Sequence, residues 1–327
     1  MGDHTVSDTI IRSCGELFAW GGGVILNNCH DTTLAYNSIS DAPRYGAYVR
    51  DSASTNNLLH HNEIFDVMQN SGDVGGLTIW SAETSNQIVN NVVRDCHTDP
   101  DSLVTIGPRG IYVDYLFQDT LVHKNLVYGI HTDDLYNAAD FEIKGTNTTM
   151  TNNVSVILEE QGVERHVFSR RTPAASTNPQ DGVCATITQN IFYNESIVLP
   201  PALYHFTGTF FRTDGTCAKT PSYCLSNEEP APTGTPRILE SKDNLLPVGL
   251  LSESPFTFGS CQSISLPTWQ SINSNQADVD SIIADPQFTT DAQDPNYIYA
   301  LSPSSPAITQ LAFDPLDPVV GVQITQF

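Results

Sequence analysis

The chain has 327 residues, enough for one elongated domain or two ordinary ones, with 39% hydrophobic residues and a mean hydropathy of −0.19. Its 37 acidic and 14 basic residues give a net charge of −23, which argues against nonspecific nucleic-acid binding and against docking on an anionic membrane. No apolar run is long enough to span a bilayer, and Met1-Gly2-Asp3-His4 shows neither the basic nor the apolar region of a signal peptide.

A short motif recurs from the first residues on. Asn37-Ser38-Ile39-Ser40-Asp41, Asn62-Glu63-Ile64-Phe65-Asp66, Asn91-Val92-Val93-Arg94-Asp95 and Asn125-Leu126-Val127-Tyr128-Gly129 share Asn, then Ile or Val two residues on, then Asp or Gly. Thr9-Ile10-Ile11-Arg12-Ser13 is a degenerate earlier copy, and Asn153 and Asn190 begin later ones. Three residues before each stands an apolar residue: Val6, Leu34, Leu59, Ile88, Val122, Met150 and Ile187. Repetition at intervals of about 25 to about 37 residues, with no helix-length amphipathic pattern, indicates stacked coils of short strands. The recurrent Asn suits a corner. Asn tolerates the left-handed conformation, and its amide can bond the coils above and below.

A second set of stretches aligns between these motifs: Gly23-Val24-Ile25-Leu26-Asn27, Gly46-Ala47-Tyr48-Val49-Arg50, Gly76-Leu77-Thr78-Ile79-Trp80, Gly110-Ile111-Tyr112-Val113-Asp114 and Asp140-Phe141-Glu142-Ile143-Lys144. Two columns are apolar throughout (Val24, Ala47, Leu77, Ile111, Phe141 and Leu26, Val49, Ile79, Val113, Ile143). Strand alternation therefore turns both inward. The other two columns then face outward: Ile25, Tyr48, Thr78, Tyr112, Glu142 and Asn27, Arg50, Trp80, Asp114, Lys144.

These patterns predict an all-β, right-handed parallel β-helix over residues 1–194. The pattern lapses between about Glu159 and Gln180 and returns at Gly182–Asn190. Residues 195–278, rich in Pro, Ser, Thr and Gly, read as a loop-rich insertion with a few strands on the helix flank. Residues 279–327 read as a segment capping the final coil. The chain is in repeat register by Val6, and an uncapped first coil would leave bare strand edges, so earlier coils are expected upstream. Of the seven cysteines, Cys14, Cys29 and Cys96 fall in the repeats and read as small core residues. Cys184, Cys217, Cys224 and Cys261 form two disulfides or stay free according to compartment.

The outward columns carry the residues fit for chemistry. Asp73, in Ser71-Gly72-Asp73-Val74-Gly75-Gly76, precedes the Trp80 strand, and Asp114 lies on the next coil between Trp80 and Lys144. Two carboxylates on adjacent coils suit glycosidic-bond hydrolysis, one protonating the leaving oxygen and the other acting as nucleophile or base. Lys144 would keep Asp114 ionised. Trp80, Tyr112, Tyr115 and Tyr48 offer exposed rings to stack on sugar faces, and Arg50 lies among them. Glu142 is expected to partner Lys144 or Arg50, with a reserve role as acid, and His131 to line the cleft. The blander alternatives are a turn-capping role for Asp73 and a surface ion pair between Asp114 and Lys144. No paired spacing for a metal and no cofactor motif is present, so neither is expected.

The stretches Asn62–Val67, Ser71–Trp80 and Gly110–Asp114 resemble the core of right-handed β-helix carbohydrate-active enzymes, above all glycoside hydrolase family 141, which includes α-L-fucosidases and a xylanase. Trp269-Gln270, Asp280–Phe288 and the Ser-Pro-rich end resemble that group's C-terminal signature. The resemblance implies Asp73 and Asp114 as catalytic acids. It also implies a monomeric extracellular or periplasmic enzyme acting on a plant or algal polysaccharide. Val74 replaces the Gly that more often follows the loop Asp, and Asp114-Tyr115 replaces an acidic pair. Two other functions fit the same scaffold. A polysaccharide lyase or uronate epimerase would draw on Arg50, Lys144 or Arg109 to neutralise a uronate. A non-catalytic carbohydrate-binding protein or adhesin would need no acid at all.

Overall fold

The computed structural model describes residues 2–15, 17–18, 20–80, 84–98, 107–114, 119–132, 138–143, 148–158, 165–171, 186–194, 204–207, 240–242, 244–246, 256–258, 262–264, 267, 277–289, 299–317 and 321. Tyr115, Lys144, Trp269-Gln270 and the four later cysteines lie outside them. Each coil contributes one short strand to each of three long ladders. The first runs from Thr5–Ser7 to Ala277–Val279, the second from Ile10–Arg12 to Ile282–Ile283, and the third from Val24–Asn27 to Phe256–Phe258. Pairing is parallel along all three, and Gln262–Ile264 closes the third in antiparallel fashion. The fold is a parallel β-helix. Its ladders do not stop at 194: Tyr204–Thr207, Glu240–Lys242, Leu245–Leu246 and Phe256–Phe258 extend them through the loop-rich stretch.

The inward columns form one continuous core. Leu34, Leu59, Ile88, Val122, Met150 and Ile187 of the first ladder are fully buried, as are Leu77, Ile79, Ile111, Val113, Phe141 and Ile143 of the third. Cys96 joins that core, but Cys29 packs only partly against it and Cys14 is half-exposed. Cys14 follows the left-handed Ser13 just as the buried Cys96 follows Asp95, but it lies on the edge coil of the ladders, where a neighbouring coil covers it on one side only.

A column of glycines lets the second and third sheets meet. A Cβ on Gly23, Gly46, Gly76 or Gly110 would collide with Ile39, Ile64, Val93 or Val127 respectively. At the fifth coil the pairing changes chemistry rather than shape. Asp140 takes the glycine position, and Ser155 takes that of Val127 and hydrogen-bonds to it inside the core.

The Asn motif makes an amide ladder. Asn37, Asn62, Asn91, Asn125, Asn153, Asn190 and Asn244 each donate from Nδ2 to the Oδ1 of the next, at 2.9–3.2 Å, and Asp278 accepts from the last at 3.0 Å. These asparagines do not themselves adopt the left-handed conformation. The preceding residue does: Tyr36, His61, Asn90, Lys124, Asn152 and Gln189 all have φ between 53° and 56°. Paired asparagines thus divide the two tasks, Asn90 turning and Asn91 bonding. The motif's Asp or Gly has the same physical origin, since Asp41, Asp66, Asp95 and Gly129 have φ of 50–66°.

The C-terminal segment, expected over the final coil, instead runs back along the flank. The helix Pro306–Leu311, capped by the Ser305 hydroxyl accepting from the Ala307 amide at 3.2 Å, buries Ala307 and Leu311 against Val92, Leu126, Val154, Ile191 and Leu245. Those five residues occupy one register column on the outward side of the second sheet. Beyond the helix, Asp314 pairs with Lys124, Asp317 with His61 at 3.2 Å, and the Gly321 amide donates to the His61 carbonyl at 2.8 Å. The tail covers the second sheet where its outer column is apolar. Gly321, its last described residue, lies beside Glu63, where that column has turned polar.

Candidate active site

The third ladder places the outward residues in the expected rungs. Asn27, Arg50, Trp80 and Asp114 share one column, and Ile25, Tyr48, Thr78, Tyr112 and Glu142 share the other. The two columns differ in exposure. Arg50, Trp80 and Asp114 are half-buried, whereas Thr78, Tyr112 and Glu142 are at most 1% exposed. Tyr112 is therefore not the open stacking ring expected of it, and Glu142 is no surface acid. Alternation fixes which face a side chain leaves by, but not what covers that face.

Glu142 is held by Arg109, not by Arg50. The pair is buried on both sides, and Arg109 also donates from Nη1 to the carbonyls of Gly107 at 2.6 Å and Pro108 at 3.0 Å. A buried guanidinium bonded in this way can compensate the desolvation of a buried carboxylate. This takes Arg109 out of the open cations able to meet a substrate and makes Glu142 a structural partner.

Asp73 is presented from a pinned loop. Ser71 and Val74 are buried on either side while Asp73 is exposed, with φ of 59°. The Gly75 amide donates to Thr78 Oγ1 at 2.7 Å, folding the loop onto the strand. A Cβ on Gly75 would come within 3.0 Å of Tyr112 Cβ and of the Gly110 carbonyl, so glycine is what lets the two coils approach here. In the ladder Gly75 pairs with Arg109, and Trp80 with Asp114. Asp73 thus precedes one end of its strand while Asp114 stands at the far end of the next, with about 17 Å of strand between those rungs.

The two carboxylates nonetheless act on one group. The Tyr112 hydroxyl is driven far above its ordinary value, first by burial and then by Glu142, Asp114 and Asp73, against which Arg109 works. Asp114 also acts on Tyr48, whose hydroxyl burial pushes up to about 12, opposed by Arg50 and Arg44. Asp73 acts on Arg44. All these residues therefore belong to one flank of the helix.

Three residues of this flank were not singled out from sequence. Arg44 lies over the Trp20 ring at 4.1 Å, and Tyr45 packs on Tyr48 with ring centroids 4.9 Å apart. Arg44 and Tyr45 stand immediately before Gly46, at the corner that Asp73 occupies one coil later. Position relative to the glycine column was the available signal. His131 is not drawn to the carboxylates. It stacks on His97 at 5.3 Å in a separate two-stranded ladder, its Nδ1 bonded to the Gly129 carbonyl at 3.2 Å. Among the described residues no group of three His, Cys, Asp or Glu side chains gathers as a metal site would.

Residues 22–169 match the family model described as the right handed beta helix region, which spans the coils that build this flank. With the three parallel ladders, that match defines an all-β, right-handed parallel β-helix. No curated protein and no solved structure gives a significant match to the chain.

Proposed function

We propose that this right-handed β-helix is a glycoside hydrolase of the family 141 type, cleaving a plant or algal polysaccharide with Asp73 and Asp114. Domains of this class occur in many carbohydrate-active enzymes. One arrangement supports the reading: Asp114 shares a rung with the half-open Trp80, and the exposed Asp73 is carried on the loop that leads into the same Trp80 strand. A sugar chain lying along the strand from Trp80 toward the Asp73 loop would pass between the acids. One would protonate the leaving oxygen while the other acts as nucleophile or activates water, which requires the Asp73 loop to reach back along the strand to within about 5–9.5 Å of Asp114. Trp80 offers its face to a sugar ring. A polysaccharide substrate places the enzyme outside the cytoplasm, acting as a monomer.

A second reading, a lyase on an acidic polysaccharide, draws support from Arg44 and Arg50 on the same flank. Product analysis separates the two. Reducing sugar released without new ultraviolet absorbance identifies hydrolysis, whereas an unsaturated, absorbing product identifies a lyase. Sugar binding without turnover, unchanged in Asp73→Asn and Asp114→Asn, would identify a carbohydrate-binding protein and overturn both.

A further inference from the structure

Arg44 and Arg50 converge on one flank of a chain with only 14 basic residues against 37 acidic ones. They stand on the third-sheet side of a single coil, and Tyr45 and Tyr48 lie between them in sequence and pack on each other. Each guanidinium lies over an indole of a neighbouring coil: Arg44 over Trp20 at 4.1 Å, Arg50 over Trp80 at 5.4 Å. A ring holds a guanidinium by its face and leaves the N–H edges for a planar or tetrahedral anion.

Among the described residues neither guanidinium makes a hydrogen bond, and the Nε atoms of both are buried without a hydrogen-bonding partner. Among the described residues their sole ion pair joins Arg50 Nε to its chain neighbour Asp51 at 3.3 Å, with the two side chains 37% and 32% exposed, a partly solvated contact that leaves the Nη atoms of both arginines available. Burial disfavours the charge of Arg44 and the nearby Arg50 adds to this, while Tyr48 and Asp73 oppose it. A second anion between them would relieve that repulsion and satisfy donors the fold leaves unused.

We propose that Arg44 and Arg50, with Tyr45 and Tyr48 between them and Trp20 and Trp80 beside them, form a subsite for an anionic substituent of the glycan, a uronate carboxylate or a sulfate ester. Trp20, 73% exposed, supplies the outer platform on which the substituted sugar stacks. The inference rests on the glycan-acting reading and narrows its substrate class to acidic polysaccharides.

Equilibrium binding of four probes tests it: hexameric oligogalacturonate, a sulfated galactan hexamer, neutral xylohexaose and inorganic sulfate. The expected result is that one anionic hexamer binds at least tenfold tighter than xylohexaose. Arg44→Gln and Arg50→Gln should each cut that ratio about tenfold, with Arg44→Lys intermediate because it keeps the charge and loses the fork. Which hexamer wins identifies carboxylate or sulfate. Circular dichroism confirms folding, and Arg50→Gln alone decides the matter should the Arg44 variant not fold. Equal binding of neutral and anionic hexamers, a ratio unchanged in a folded variant, or binding of inorganic sulfate without preference for an anionic hexamer would each overturn the subsite. Anionic preference without turnover would leave the subsite standing and remove the hydrolase. Turnover of a neutral glycan without anionic preference would do the reverse.

Discussion

Asp114 and Trp80 occupy one rung on adjacent coils, and Arg50 continues the same rung on the coil beyond. Neighbouring coils lie about 4.8 Å apart, so an acid, an indole and a cation stand side by side at the ends of three strands. The Arg50 guanidinium lies over the indole at 5.4 Å, and the half-buried ring keeps part of its surface open to a sugar. Trp80→Ala should raise KM about tenfold while lowering kcat less, in line with the roughly 0.5–1.5 kcal/mol of an aromatic contact. Trp80→Phe should recover part of the loss. Initial-rate kinetics on both variants would show this, and an unchanged KM in Trp80→Ala would remove the indole from the substrate path.

Arg109 and Glu142 test the interior of the same flank. Removing one partner of a buried pair leaves the other charged and uncompensated, at a cost of about 3–5 kcal/mol. Arg109→Ala should lower the urea midpoint accordingly, and the double variant Arg109→Met with Glu142→Leu should recover most of it. A midpoint for Arg109→Ala equal to that of the parent would show that the pair is not structural.

The amide ladder makes a separate prediction. Asn91 Oδ1 accepts from both the amide and the side chain of Asn62, each at 3.0 Å, in a fully buried setting. Asn91→Ala would orphan both donors, and a stranded buried donor costs about 1–3 kcal/mol. A destabilisation of about 3 kcal/mol is expected in chemical denaturation. Asn90→Ala should cost less, since Asn90 is exempt from the ladder and its φ of 53° is the feature lost.

Stability should also depend on pH through His60 and His123. Burial, reinforced at His60 by His61 and at His123 by Lys124, holds both imidazoles below their ordinary value; the Thr151 carbonyl bonded to His123 partly offsets this. The unfolded chain therefore takes up protons more readily than the folded one. The contribution is whole above about pH 6.5, the unfolded value, and is lost as pH falls through the lower folded values. Melting temperature should fall from pH 7 to pH 5, and His60→Gln should flatten that slope. Identical slopes in parent and variant would contradict the assignment.

Sequence periodicity carried the architecture because each coil repeats the same steric demands. Alternation named both inward columns of the third sheet, and the spacing of Asn37, Asn62, Asn91, Asn125, Asn153 and Asn190 named the ladder. Asn244 escaped because Ser241, not an apolar residue, stands three positions before it. The outward burial of Tyr112 and Glu142 escaped for a different reason. A period of two reports direction, whereas cover comes from elsewhere in the chain. The tail along the second sheet was visible in part: Val92, Leu126, Val154, Ile191 and Leu245 form an apolar outward column that needed a partner. Arg44 was overlooked because its sequence signal was only its place two residues before the glycine column, and Trp20 comes to lie against it only in the fold.

The central claim is that Asp73 and Asp114 together break a glycosidic bond. The most direct measurement is turnover of a cleaved polysaccharide by Asp73→Asn and Asp114→Asn, with folding checked by circular dichroism. Each variant should lose about a thousandfold or more in kcat, the combined share of proton transfer and nucleophile activation. Full activity in either folded variant would contradict the account.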